Sequence, residues 1–293
     1  MKKEVLFELV NVSKKFGKKV ILDNINLKIY ENRVFAIIGP SGAGKTTLLR
    51  ILTTFYKPTT GKVYLKWERL KKLGGNIKYR LGFSAQHGSF YPNLTVEENI
   101  RFFASLYGMS KPLIEKEMHE LLKTLEIEKY KKMKVADLSK GIQKRLDLIC
   151  AIIHDPDIII LDEPMEDLDP YLRKKVCEII RDLNRRKKTI IICSHFFKEL
   201  EDICDDVVIM FDGSIIESGT MDNIQKKYGH KSLEEIFLEF VKKKKKEKGE
   251  KKEEEEKGEE EKKEKEEKGE RSKWQKVKDK LKFIAKLKWP FSH

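Results

Sequence analysis

No run of eighteen apolar residues occurs in this 293-residue chain, so no segment is patterned to cross a bilayer as a helix. No secretory leader is expected either, because Met1-Lys2-Lys3-Glu4 leads into alternating apolar and polar residues rather than an uninterrupted apolar stretch. Cysteine is sparse. Cys150, Cys177, Cys193 and Cys204 form no C-x-x-C pair and lie mostly inside apolar stretches, which favours free buried thiols in a reducing cytosol over disulfides or a zinc site.

Apolar residues are missing altogether between 242 and 270, where thirteen Lys, thirteen Glu and three Gly account for every position. Such a segment has nothing to bury. It is expected to be a solvated linker, or a lone helix held by i,i+4 Glu–Lys pairs and interrupted at Gly249, Gly258 and Gly269. Because the segment is neutral, the formal net charge of +14 divides into +7 on residues 1–241 and +7 on residues 271–293. In that last stretch Trp274, Val277, Leu281, Ile284 and Ala285 fall on one helical face, among seven lysines. A basic amphipathic helix of this kind is drawn to anionic lipid, at about 1 kcal/mol per basic residue near the surface. A domain boundary is expected near Val241.

Residues 1–241 hold the apolar material for a core, and their pattern alternates. Strand-like segments lie at Val5–Val12, Val20–Ile29, Val34–Ile38, Val63–Leu65, Ile158–Leu161, Thr189–Cys193 and Val207–Phe211; helix-period segments lie at 45–53, 114–126, 140–153, 171–186 and 196–203. Ile158-Ile159-Ile160-Leu161 carries no polar alternation, which implies a strand buried on both faces. The expected fold class is therefore α/β: a mainly parallel sheet flanked by helices, with an antiparallel β subdomain built from the early strands.

Between the apolar run Val34–Ile38 and the helical pattern that follows stands Gly39-Pro40-Ser41-Gly42-Ala43-Gly44-Lys45-Thr46-Thr47. Gly39, Gly44, Lys45 and Thr46 fill G-x-x-x-x-G-K-[ST] in strand–loop–helix context. Glycines let such a loop turn its N–H groups inward, and the helix N-terminus adds more amides and the positive end of its dipole. This is a polyphosphate cradle, in which Lys45 reaches the β/γ-phosphates and the Thr46 hydroxyl completes the shell of a Mg2+ ion. A cradle binds without hydrolysing. The run Ile158–Leu161 ends in Asp162-Glu163-Pro164, which places one carboxylate at the carboxyl edge of the sheet to hold Mg2+. Alternation turns the adjacent Glu163 to the other face, where it could orient or deprotonate an attacking water.

With these motifs in place the chain resembles the ATP-binding cassette family across residues 1–241. The resemblance rests on GPSGAGKTT at 39–47, Gln86 in FSAQHGSFYPNLTVEEN, LSKGIQKR at 138–145, IIILDEP at 158–164, EDLDP at 166–170 and His195 in ICSHF. It implies a P-loop NTPase core, a helical signature subdomain, and ATP with Mg2+ as ligands. It also implies that Gln86 senses Mg2+ and the attacking water, that His195 contacts the γ-phosphate, and that Phe16 stacks on adenine. Ser139 and Gly141 would reach the γ-phosphate held by a second cassette, in a homodimer or heterodimer that closes two ATP sites. Two departures stand out. The signature carries Lys140 and Ile142 where LSGGQ is commonest, and Met165-Glu166-Asp167 precedes Leu168-Asp169 where a small residue is usual.

The resemblance further implies an ATPase subunit on the cytoplasmic face of the cell membrane, powering a separate integral membrane permease, with the exporter-type subfamily the best fit. The alternative is a soluble member acting in translation, repair or cluster assembly. The basic tail could contact an anionic membrane or the permease's cytoplasmic loops, with an RNA-binding tail or a merely solvated end as the other options and no nucleic-acid partner expected for the protein as a whole.

Overall fold

A computed structural model describes residues 4–66, 68–69 and 74–243. Two long strands, β1 (Val5–Phe16) and β2 (Lys19–Tyr30), form a hairpin that turns at Gly17, where φ is 57°. The strand β3 (Val34–Ile38) has all five residues buried and feeds the glycine loop that opens α1 (Lys45–Leu52). Next come β4 (Thr60–Leu65), the short β5 (Glu68–Arg69) and β6 (Leu81–Ser84). Three helices follow and pack on one another: α2 (Val96–Leu106), α3 (Lys111–Thr124) and α4 (Lys140–Ile152). The chain then runs through β7 (Ile158–Asp162), α5 (Pro170–Arg185), β8 (Thr189–Cys193), α6 (Phe197–Ile203), β9 (Asp206–Phe211), β10 (Ser214–Thr220) and α7 (Met221–Lys227).

The strands form two sheets. One is antiparallel, in the order β2-β1-β4-β5; the other is six-stranded, in the order β10-β9-β3-β8-β7-β6, and parallel except where β10 pairs with β9. Every residue of β3, β7 and β8 is buried, as their unbroken apolar runs require. One hydrophobic core joins the two sheets and α1: it holds Leu48, Leu49 and Leu52 of α1 together with Phe7, Leu22 and Ile25 of the antiparallel sheet and Ile37, Ile160 and Met210 of the six-stranded one. Because α1 is anchored on both sides, the loop before it is held at the carboxyl edge of the parallel sheet.

Five elements, β5, β6, β10, α2 and α7, go beyond the expected ones. The helix α2 announces itself by a capping box: the Thr95 hydroxyl accepts the Glu98 N–H, and the Glu98 carboxylate accepts the Thr95 N–H. The strands β6 and β10 escape a periodicity reading because Leu-Gly-Phe-Ser is short and Ser214–Thr220 is only half-buried along its length. All four cysteines are buried thiols. Among the described residues no helix is long and apolar enough to cross a membrane.

The chain divides into two compact units, 1–237 and 238–293. All the elements named above lie in the first, while residues 238–243 of the second are described as helix. Residues 244–293, with nearly all of the expected linker and the whole basic tail, lie outside the described residues.

Candidate nucleotide-binding site

The glycine loop is shaped by what surrounds it. A Cβ at Gly39 would lie 2.4 Å from the Met210 carbonyl oxygen, so β9 can approach only a glycine there. Gly44 adopts φ 97° and would place a Cβ 2.7 Å from Leu22 Cδ2 and 2.8 Å from the Ile21 carbonyl. Both its conformation and its surroundings therefore demand glycine. It is the N-cap of α1 and supplies no side-chain acceptor, so the first helical N–H groups remain available to an anion. The Lys45 ammonium spans the loop, donating to the Gly39 carbonyl at 2.7 Å and the Pro40 carbonyl at 3.2 Å. Ala43 is buried and donates its N–H to Pro40. Pro40 and Ala43 thus shape the loop, whereas Ser41, Gly42, Gly44, Lys45, Thr46 and Thr47 line an open cleft of about 300 Å3.

Gln86, Asp162 and Glu163 complete the cleft, together with Lys19 and Ile21 of β2, which the sequence reading missed. The Asp162 carboxylate, at the end of β7, accepts a hydrogen bond from the Thr46 hydroxyl; burial pushes its pKa up, against that bond and the Lys144 and Lys45 ammonium charges. Glu163 does not turn to the other face. Its φ of 52° breaks the strand alternation, and its N–H donates to the Cys193 carbonyl at 2.9 Å, so both acids face the same cleft. The Glu163 carboxylate is nearly buried, with 10% of its side chain exposed, and accepts the His195 N–H at 3.3 Å and faces His195 Nδ1 at 2.9 Å. Burial raises the Glu163 pKa, with the His195 and Lys45 charges opposing. A desolvated carboxylate with a raised pKa is suited to accept a proton.

His195 does not line the cleft; it reaches it through Glu163. The Gln86 amide is 3.4 Å from the Glu166 carboxylate, a long hydrogen bond from the cleft to the acid-rich loop after Pro164. Phe16 sits at the end of β1, 44% exposed, edge-on to Tyr56 at 5.2 Å between ring centroids. It flanks the cleft across the hairpin from Lys19 without lining it. Ser139 is the exposed N-cap of α4 and its hydroxyl makes no capping bond. Gly141 lies against the acid-rich loop after Pro164, where a Cβ would be 3.0 Å from the Asp167 carbonyl. Neither signature residue lines the cleft.

The donor set fits Mg2+. A hydroxyl, a carboxylate and an amide are oxygen ligands of the kind the ion prefers, and Thr46 and Asp162 are already in contact. Among the described residues no group of three or more His, Cys, Asp or Glu side chains is placed to hold a metal, so an ion here would depend on phosphate oxygens for the rest of its shell.

A family profile described as ABC transporter matches residues 22–166. The Nod factor export ATP-binding protein I of Bradyrhizobium diazoefficiens is 35% identical over 215 residues, covering 73% of this chain and 70% of that protein. The chain belongs to the ABC transporter family. This cassette is also 30% identical over 243 residues to the probable multidrug ABC transporter ATP-binding protein YbhF of Escherichia coli, covering 81% of the cassette chain but 42% of YbhF. The chain thus spans less than half of that longer relative. The solved dimeric cassette MJ0796, in a post-hydrolysis state bound to ADP and Pi, superposes with a TM-score of 0.69 at 30% identity, covering 74% of this chain and 99% of that one.

Proposed function

We propose that residues 1–241 bind MgATP in this cleft and hydrolyse it to ADP and phosphate. Lys45 and the N–H groups from Gly42 to Thr47 hold the phosphates, Thr46, Asp162 and Gln86 hold Mg2+, and Phe16 stacks on the adenine. When bound, the ion neutralises charge on the β- and γ-phosphate oxygens. Glu163 orients the attacking water and takes its proton, while His195 fixes the carboxylate. The observation that carries this reading is the desolvated Glu163 carboxylate, held by His195 at 2.9 Å in the same cleft as the phosphate cradle.

Ser139 and Gly141 lie outside the cleft, and a second cassette related head-to-tail by a two-fold axis would bring its own pair to it. The dimeric, ADP- and Pi-bound relative supports this arrangement. A site shared between two chains requires their encounter, so ATPase activity per chain should rise with protein concentration over a dilution series. Constant specific activity in a range where sedimentation finds only monomer would defeat the shared site.

The work driven is export through a separate membrane permease, with the cassette peripheral on the cytoplasmic face. The relatives named for multidrug transport and Nod factor export support this assignment. Residues 242–270 then serve as a linker and 271–293 as a basic element for an anionic membrane surface, on the strength of seven lysines beside one apolar stripe. A chain truncated after residue 270 is expected to lose partitioning to phosphatidylserine vesicles in a sedimentation assay. Equal partitioning of the truncated and full chains would exclude that role.

A further inference from the structure

A buried lysine sits between the signature helix and the metal edge of the cleft. Lys144, on the second turn of α4, is 7% exposed, and its ammonium donates to three backbone carbonyls: Ala85 at 3.2 Å, Gln86 at 3.2 Å and Asp162 at 3.3 Å. Three N–H groups meet three acceptors, so the desolvated ammonium is satisfied without a carboxylate in direct contact. Asp147 stands one turn further along the same helix, 1% exposed, and holds the same segment by further bonds. Its carboxylate accepts from the Ser84 hydroxyl and from the Ser89 N–H at 2.7 Å.

The position of these contacts gives them meaning. The β6·β7 ladder ends at the pair Ser84↔Leu161, after which β7 continues against β8 alone. Ala85, Gln86 and Asp162 are therefore the first residues at this edge without the parallel ladder to set their separation. Lys144 bridges them where the ladder stops. Gln86 and Asp162 both line the cleft and are also two of the three residues assigned to Mg2+. Near the ammonium lie the charges of Asp147, Glu166, Asp162 and Glu163, so one buried cation offsets an acidic neighbourhood that includes the unusual Glu166.

We propose that Lys144 is a positioning residue, a clasp that fixes the Gln86 loop to the end of β7 and so ties the signature helix to the Mg2+ site. It touches neither nucleotide nor metal. Its effect comes from holding two backbone segments at the separation that lets Gln86 and Asp162 serve the same ion. A shift of α4 at a cassette interface would then move Gln86 with it.

The proposal rests on the reading of Gln86 and Asp162 as Mg2+ residues, but half of its test does not. In Lys144→Met, which keeps length and removes the donors, amides of residues 84–90 in the nucleotide-free protein should exchange with deuterium about tenfold faster or more, while those of β8 stay protected. The Mg2+ concentration for half-maximal hydrolysis should rise about tenfold, as for loss of an outer-shell partner, with KM for ATP at saturating Mg2+ unchanged. Lys144→Gln, whose amide restores two donors, should fall between the two, and it decides the question if the Met variant does not fold. Unchanged exchange at 84–90, or acceleration spread evenly over the sheet, would overturn the clasp. A native chain that hydrolyses no ATP would sink the functional reading while leaving the exchange result to judge Lys144 by itself.

Discussion

Glu163→Gln is expected to bind ATP as the native chain does and to hydrolyse it about 10^2- to 10^4-fold more slowly, the range that a positioned general base contributes. The substitution is nearly isosteric. The amide oxygen can still accept from the His195 N–H, so the geometry around His195 is kept while the proton acceptor is lost. With hydrolysis stalled and binding intact, a dimer closed around ATP should accumulate in gel filtration with Mg2+ present. The native enzyme should also show an acid limb in kcat above the ordinary carboxylate range, because burial raises the Glu163 pKa. Activity would be lost as pH falls through that value, since the protonated carboxyl cannot take a proton from water, and the residual rate of the Gln variant should lack the limb. Phosphate release at native rates in the variant would remove Glu163 from the mechanism.

Lys45→Ala should act one step earlier, on binding. Truncating one partner of a desolvated, charged contact costs about 2–5 kcal/mol, so the Kd for ATP should rise about 30- to 4000-fold. The fold should tolerate the change, because α1 is anchored by Leu48, Leu49, Ile51 and Leu52 in the core rather than by the ammonium, which bonds to the Gly39 and Pro40 carbonyls of its own loop. Calorimetric titration of nucleotide into the variant, beside a melting curve taken without nucleotide, separates lost affinity from lost structure. An unchanged Kd would take Lys45 out of phosphate binding. The two variants together divide the site into a part that holds the nucleotide and a part that acts on the water.

Much of this site was legible in short contiguous strings. Gly39–Thr47 encodes a strand exit, a turn that needs glycine and a helix start within nine residues, and each step follows from backbone sterics and capping. Ile158–Asp162 was readable for a similar reason, since a strand buried on both faces can afford no polar residue until it emerges at the sheet edge. The orientation of Glu163 was not. Period-two alternation assumes that the strand continues, and the chain instead enters a left-handed turn held by the Cys193 carbonyl, thirty residues further on.

Lys144 and Asp147 were overlooked because nothing local distinguishes them. In the string Lys140–Asp147, lysine and aspartate look like the solvated face of a helix, and they are buried only because α4 packs against the loop that leaves β6. The sequence by itself determined the chemistry available: a phosphate cradle, an acid pair at a strand end, a serine at a helix start. The tertiary structure alone decided which of these groups share a cleft. It turns both acids toward Lys45, leaves Ser139 outside, and buries a lysine where the β6·β7 ladder ends. Bonding within a few residues is set by local sterics, whereas the distance between Gln86 and Asp162 is set by how strands pair and helices pack across more than seventy positions of chain.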